Sequence, residues 1–187
     1  VYCPPIPQDI AQQPLLHLCT VCRLVPLKNI TQLVEEFGRR NLGNHAVLNI
    51  FGDGPERSKI EQIVEKYGLQ SSVILHGEVL DEDPLYAQQD LLLINSTTEG
   101  LPMSLLEAMA RGIPALSTSV GQIPLLIKNN HTGFVYSVHD IESWYSILLS
   151  LIEDRSKLKQ NGRHAFAFTK QCYAIDNVSA IYEATYK

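Results

Sequence analysis

Six short apolar segments, at 15–22, 46–51, 72–76, 90–95, 114–117 and 133–136, alternate along the chain with stretches of helical periodicity. Helical patterns occupy 30–41, 55–67, 85–88, 102–111 and 123–128, and a helical tail runs from Asp140 onward. Strand then helix, repeated, predicts a Rossmann-like α/β domain, a parallel sheet with helices on both faces. The segment "DLLLIN" at 90–95 is apolar without alternation, as a central strand buried on both sides should be. The Pro-rich segment 1–14 reads as a linker, and 15–187 reads as one domain without internal repeats.

Composition narrows the partners. A net charge of −5 with 19% charged and 45% hydrophobic residues describes an ordinary globular chain with no basic excess for nucleic acid. No apolar run approaches the roughly 18–20 residues needed to span a bilayer, and the N-terminus lacks a signal peptide's pattern. The expectation is a cytoplasmic protein, present here as a fragment because the sequence does not start with Met.

The chain has four cysteines, two of them in "CTVC" at 19–22. Residues three apart on a strand point to opposite faces, so Cys19 and Cys22 should not share a metal, and no second ligand pair follows. They are expected to be core thiols. The six histidines show no metal-ligand spacing and accompany no nucleophile motif, so they are read as core or surface residues.

In a sheet of this kind, ligands bind beyond the carboxyl ends of the strands, where loops meet helix N-termini. After the first strand, "RLVPLKN" places Arg23 at the strand end and Lys28 just before the next helix. Two cations beside a helix N-terminus suit an anion such as phosphate. After the second strand, Gly52, Asp53 and Gly54 form a turn with Pro55 expected at the first helical position. After the fourth strand comes "TTEGLPMSLLEAMARG", with Pro102 expected to open a helix of about ten residues and Gly112 to end it.

That last stretch carries Glu99 before the helix and Glu107 inside it. Eight residues of helical rise span about 12 Å. A carboxylate pair working on one glycosidic bond would sit roughly 5–9.5 Å apart, so the spacing fits a long ligand better than a hydrolase dyad. Each carboxylate can accept from two vicinal hydroxyls, the handles of a sugar or a ribose. With the cations between them, the set spells sugar, diphosphate, nucleoside.

From about Leu18 to Tyr186, the segments "RLVPLK", "FGDGPER", "HGEV", "STTEGLPMSLLEAMARGIPALSTSVG" and "NHTGFVY" resemble, in order and spacing, the C-terminal donor-binding half of a GT-B glycosyltransferase. The family is the large retaining one called family 4, or group 1, and the central segment matches its Glu-x7-Glu motif. The resemblance implies that Arg23 and Lys28 bind the donor diphosphate, that Glu99 contacts the transferred sugar, and that Glu107 holds the ribose hydroxyls. Backbone amides of Gly100, Leu101, Met103 and Ser104 would touch sugar and phosphate, and the base would be read near Glu78 and Val79. Departures from the pattern are Cys22 and Pro102, each at a frequent Gly, and Gln122 and Leu125.

The resemblance further implies a nucleotide-diphosphate sugar as donor and a glycan or lipid-linked glycan as acceptor, in polysaccharide or glycolipid assembly, with peripheral association at the inner membrane face. The acceptor half would precede Val1. No cofactor and no metal are expected. "DED" at 81–83 does match the Asp-x-Asp pattern of a metal-using glycosyltransferase class, but it lies before Pro84 in an expected loop. A nucleotide-sugar epimerase half and a non-catalytic binding module are the alternatives. An exposed apolar patch is expected on the tail helix at 175–186.

Overall fold

The computed structural model describes residues 1–4 and 14–174. Its six strands are β1 (Leu16–Val21), β2 (Ala46–Phe51), β3 (Val73–Gly77), β4 (Leu91–Ile94), β5 (Ala115–Thr118) and β6 (Phe134–Tyr136). All six expected strands form, and they pair in parallel in the order β3-β2-β1-β4-β5-β6. The chain builds outward from β1 in one direction, then returns to β1's other side with β4. The sheet therefore has its topological switch point between β1 and β4, the place where open α/β sheets generally bind ligands beyond the strand ends.

Helices α1 (Ile30–Arg39), α2 (Arg57–Lys66), α3 (Glu82–Tyr86), α4 (Met103–Met109), α5 (Ile123–Leu126), α6 (Ile141–Glu153) and α7 (Ser156–Cys172) cover both faces. Strand geometry sends successive side chains to opposite faces, so each buried strand feeds two cores. Leu91 and Leu93 join Phe37 and Trp144 in one core, whereas Leu92 and Ile94 join Leu105 and Met109 in the other. This accounts for the unbroken "LLLI" of β4, every residue of which is buried. Each fully buried leucine of this kind contributes roughly 1.5–3 kcal/mol through apolar area removed from water.

Several boundaries differ from the expected ones. Helix α2 begins at Arg57, with Pro55 and Glu56 held in the preceding turn by a bond from Arg57 N to Gly54 O of 3.0 Å. Helix α3 begins at Glu82, so "DED" is a helix start: the Asp81 carboxylate accepts from Asp83 N at 3.2 Å and caps the helix. Helix α4 has seven residues instead of about ten, because Pro102 is extended, with φ −72° and ψ 114°, and stands outside it.

At its far end Gly112, at φ 73°, donates to Met109 O while Ile113 N bonds Ala108 O at 3.0 Å. That pair of bonds is the Schellman arrangement and stops the helix where the glycine was expected to. No helix among the described residues is long and apolar enough to cross a membrane. Most of the expected linker, and the tail at 175–186, lie outside the described residues.

Candidate functional site

The β1 loop rises from the switch point. Arg23 is exposed just past the end of β1, and Lys28 closes a single 3-10 turn, Pro26–Lys28. Asn29 follows in the left-handed region at φ 53° and passes the chain into α1. The β2 loop packs flat against this segment. A Cβ on Gly52 would meet Cys22 O at 1.9 Å, so glycine is needed for the two loops to approach.

Arg23 lines an open cleft of about 560 Å³ at the ends of β1, β2 and β3, together with Cys22, Phe51, Glu78 and Val79. Asp53 also faces this cleft, but its carboxylate is engaged by Gly54 N at 2.6 Å and by Arg57 at 3.3 Å. Arg23 itself has no ion-pair partner among the described residues.

Beside the cleft, Lys28 Nζ lies 2.6 Å from Glu99 Oε1. The Glu99 side chain is 9% exposed and that of Lys28 25%, so the pair is largely screened from water. The same oxygen of Glu99 accepts the Ser96 hydroxyl at 2.6 Å. Cys22 joins the two regions: it lines the cleft, and the opposed charges of Lys28 and Glu99 act on its thiol, which burial pushes up to about 11.

Cys19 is fully buried in the opposite core, so the two thiols do face apart as the spacing required. The core-thiol expectation holds in full for Cys19 alone: Cys22 is half-buried and lines the cleft, Cys3 is half-buried and Cys172 exposed. Of the histidines, His76 is exposed, stacks on Phe51 at 4.4 Å and bonds Asn49.

Glu107 is not among the cleft-lining residues and contacts α3. Its Oε2 accepts the Tyr86 hydroxyl at 2.9 Å. Burial, reinforced by the Glu107 charge, holds the Tyr86 phenol protonated far above its ordinary range. Leu85, one residue earlier on α3, lines the cleft, so Tyr86 links Glu107 to a helix that borders it. Arg111 ties the same helices together by bonding Asp83 at 3.0 Å and Glu107 O at 3.2 Å, with its guanidinium over the Tyr86 ring. The two aspartates of "DED" are thus occupied in capping α3 and pairing with Arg111, just past α4.

In the first turn of α4 Met103 is exposed and Ser104 half-buried, and between Glu99 and α4, Gly100 and Leu101 are exposed in a loop open to solvent. Its far wall is the β5 loop, where Gly121 at φ +55° lies so close that a Cβ would meet Glu99 O at 1.8 Å. The structure therefore joins Lys28 to Glu99, sets Arg23 and Val79 in one adjoining cleft, and ties Glu107 to Tyr86 of α3.

Ser96 and Tyr86 were missed by sequence reasoning. Ser96 sits three residues before Glu99, but hydroxyls are common in loops, and only the fold gives its direction. Tyr86 comes from a different helix, 21 residues before Glu107.

The family model described as glycosyl transferases group 1 matches residues 10–166. The chain belongs to that family. It is 28% identical over 172 residues to N-acetyl-alpha-D-glucosaminyl L-malate synthase of Bacillus anthracis, a match covering 92% of this chain and 44% of that protein. A structure of a Staphylococcus aureus TarM mutant, in complex with fondaparinux, alpha-GlcNAc-glycerol and UDP, superposes with a TM-score of 0.86. It shares 22% identity, over 98% of this chain and 37% of that one.

The C-terminal domain of a group 1 glycosyl transferase, LpcC of Francisella tularensis, superposes at a TM-score of 0.76 with 20% identity, covering 86% of this chain and 87% of that one. This group 1 chain spans less than half the length of the curated relatives it matches.

Proposed function

We propose that the chain is the C-terminal, donor-binding half of a family 4 retaining glycosyltransferase, which transfers a sugar from a nucleotide diphosphate to an acceptor. The observation that carries this reading is the Lys28–Glu99 contact of 2.6 Å, at the β1/β4 switch point and beside the Arg23 cleft. A cation and a carboxylate in contact suit a ligand that is anionic at one point and hydroxyl-bearing at the next. A diphosphate joined to a sugar has that character.

In this reading Arg23 and Lys28 hold the diphosphate, and fixed positive charge stabilises it as it leaves the sugar. Lys28 has three N–H donors and spends one on Glu99, which leaves two for phosphate oxygens. Amides from Gly100 to Ser104, excluding Pro102, add donors on the same side. Glu99 accepts from sugar hydroxyls and Glu107 from the ribose, while the base lies in the cleft by Val79. The protein groups supply the charge stabilisation, so the reaction is proposed to proceed without a metal or other cofactor.

UDP in the TarM complex supports a nucleoside diphosphate as the ligand class, and the match to the isolated LpcC domain supports the assignment to the C-terminal half. Exposed apolar residues crowd the loop edge of the sheet, including Leu80 at 96% and Leu125 at 71% exposure. The N-terminal acceptor half is proposed to cover that edge. The intact protein would then assemble a polysaccharide or glycolipid from the cytoplasmic side, peripheral to the membrane.

Calorimetric titration of the chain with UDP-, GDP- and ADP-linked sugars tests the reading. Binding of at least one is expected. If none binds, donor recognition is wrong and a partner-binding module becomes the better account.

A further inference from the structure

The Glu99 carboxylate is engaged on one side only. Lys28 Nζ and Ser96 Oγ both donate to Oε1, each at 2.6 Å, and Oε2 accepts from no described group. Ser96 is not a surface hydroxyl that happens to be near. It is 2% exposed at the end of β4, and its carbonyl accepts from the fully buried Thr118 hydroxyl on β5 at 2.7 Å. The bond to Glu99 is therefore anchored in the sheet.

The Lys28 side is anchored in a parallel way. The buried Asn95 amide donates to Asn29 O at 2.9 Å, next to Lys28, and Asn95 Oδ1 accepts the Tyr136 hydroxyl of β6 at 2.6 Å. Adjacent residues of the β4 end thus fix the two partners of the ion pair separately.

We infer that Ser96 is a positioning residue for sugar recognition: its hydroxyl, sharing Glu99 Oε1 with Lys28, locks the carboxylate so that Oε2 alone is presented to the hydroxyls of the donor sugar. The inference rests on the donor-binding reading above. Without Ser96, a carboxylate held by one flexible lysine can rotate about its last bond and present either oxygen, or swing with the ammonium. With Ser96, two donors from different directions define one orientation, and hydrogen bonds to a charged acceptor are strong enough to hold it. The sugar then meets an acceptor already in place, which lowers the ordering cost of binding.

The test uses the 187-residue chain and three probe pairs: UDP-glucose with UDP, GDP-mannose with GDP, and ADP-glucose with ADP. For the pair that binds the unchanged chain, Ser96→Ala is expected to weaken the sugar nucleotide about five- to tenfold, the scale of one typical net hydrogen bond. The parent diphosphate should change by less than about twofold, since Arg23 and Lys28 remain. Ser96→Thr, which keeps the hydroxyl, should restore sugar-nucleotide affinity.

A general structural weakening would move both ligands together, and that result overturns the inference. So does an unchanged sugar-nucleotide affinity in Ser96→Ala, or a Ser96→Thr variant as weak as Ser96→Ala. If no pair binds the unchanged chain, the donor-site reading itself falls and takes this inference with it.

Discussion

The Tyr86 hydroxyl donates to Glu107 Oε2 at 2.9 Å, across the seam between α3 and α4. Because burial keeps this phenol protonated, it is a permanent donor, and Glu107 is held from one side at neutral pH. Tyr86→Phe should lower stability by about 1–2 kcal/mol, the cost of a half-buried bond to a charged group. It should also weaken nucleoside diphosphate binding several-fold. Thermal melts and titration with the bare diphosphate check both effects, and a variant that melts earlier but binds normally would detach Tyr86 from the site.

The two carboxylates should divide the ligand between them. Glu107→Ala is expected to weaken the bare nucleoside diphosphate about tenfold or more through lost ribose bonds. Glu99→Ala should spare the bare diphosphate and reduce discrimination among sugars. Equal losses of both ligands in both variants would refute the division.

Gly121 should tolerate no side chain. With φ +55° and a would-be Cβ at 1.8 Å from Glu99 O, Gly121→Ala must move the loop that carries Glu99. We expect a loss of about 2–4 kcal/mol and no detectable sugar-nucleotide binding. Gly68 has a similar φ of +66° but open space around it, so Gly68→Ala should cost only about 1 kcal/mol. Denaturant unfolding of the pair distinguishes steric contact from backbone strain.

Asp140 gives the domain an acid-sensitive helix start. Its carboxylate accepts from Ser143 Oγ and Ser143 N, and these bonds hold its pKa below the ordinary 3.8. A carboxylate depressed in the folded state stabilises the fold above its unfolded pKa, and this contribution is lost as pH falls through the lower folded value. Asp140→Asn should therefore melt below the unchanged chain at pH 7. The gap should narrow below about pH 4, and a constant gap across that range would show that charge is not involved.

The strands were legible because burial on two faces leaves a continuous apolar run, and 46–51 matched β2 residue for residue. The helix ends were less legible. Pro102 looks like a first helical residue in sequence, yet its extended backbone leaves it as the residue before α4, where the loop must turn away from β4. "DED" looks like a metal motif, and the fold instead uses it to start α3 and to hold Arg111.

The sequence alone determined the parallel α/β sheet and placed Arg23, Lys28 and Glu99 in loops that follow strand ends. Those follow from local periodicity and from rules about where strand ends lead. Only the tertiary structure decided that Lys28 touches Glu99, that Ser96 shares the same oxygen, and that Glu107 accepts from Tyr86 of α3. These relationships join residues 3 to 71 positions apart, and their directions are set by how neighbouring strands and helices pack, which no local pattern encodes.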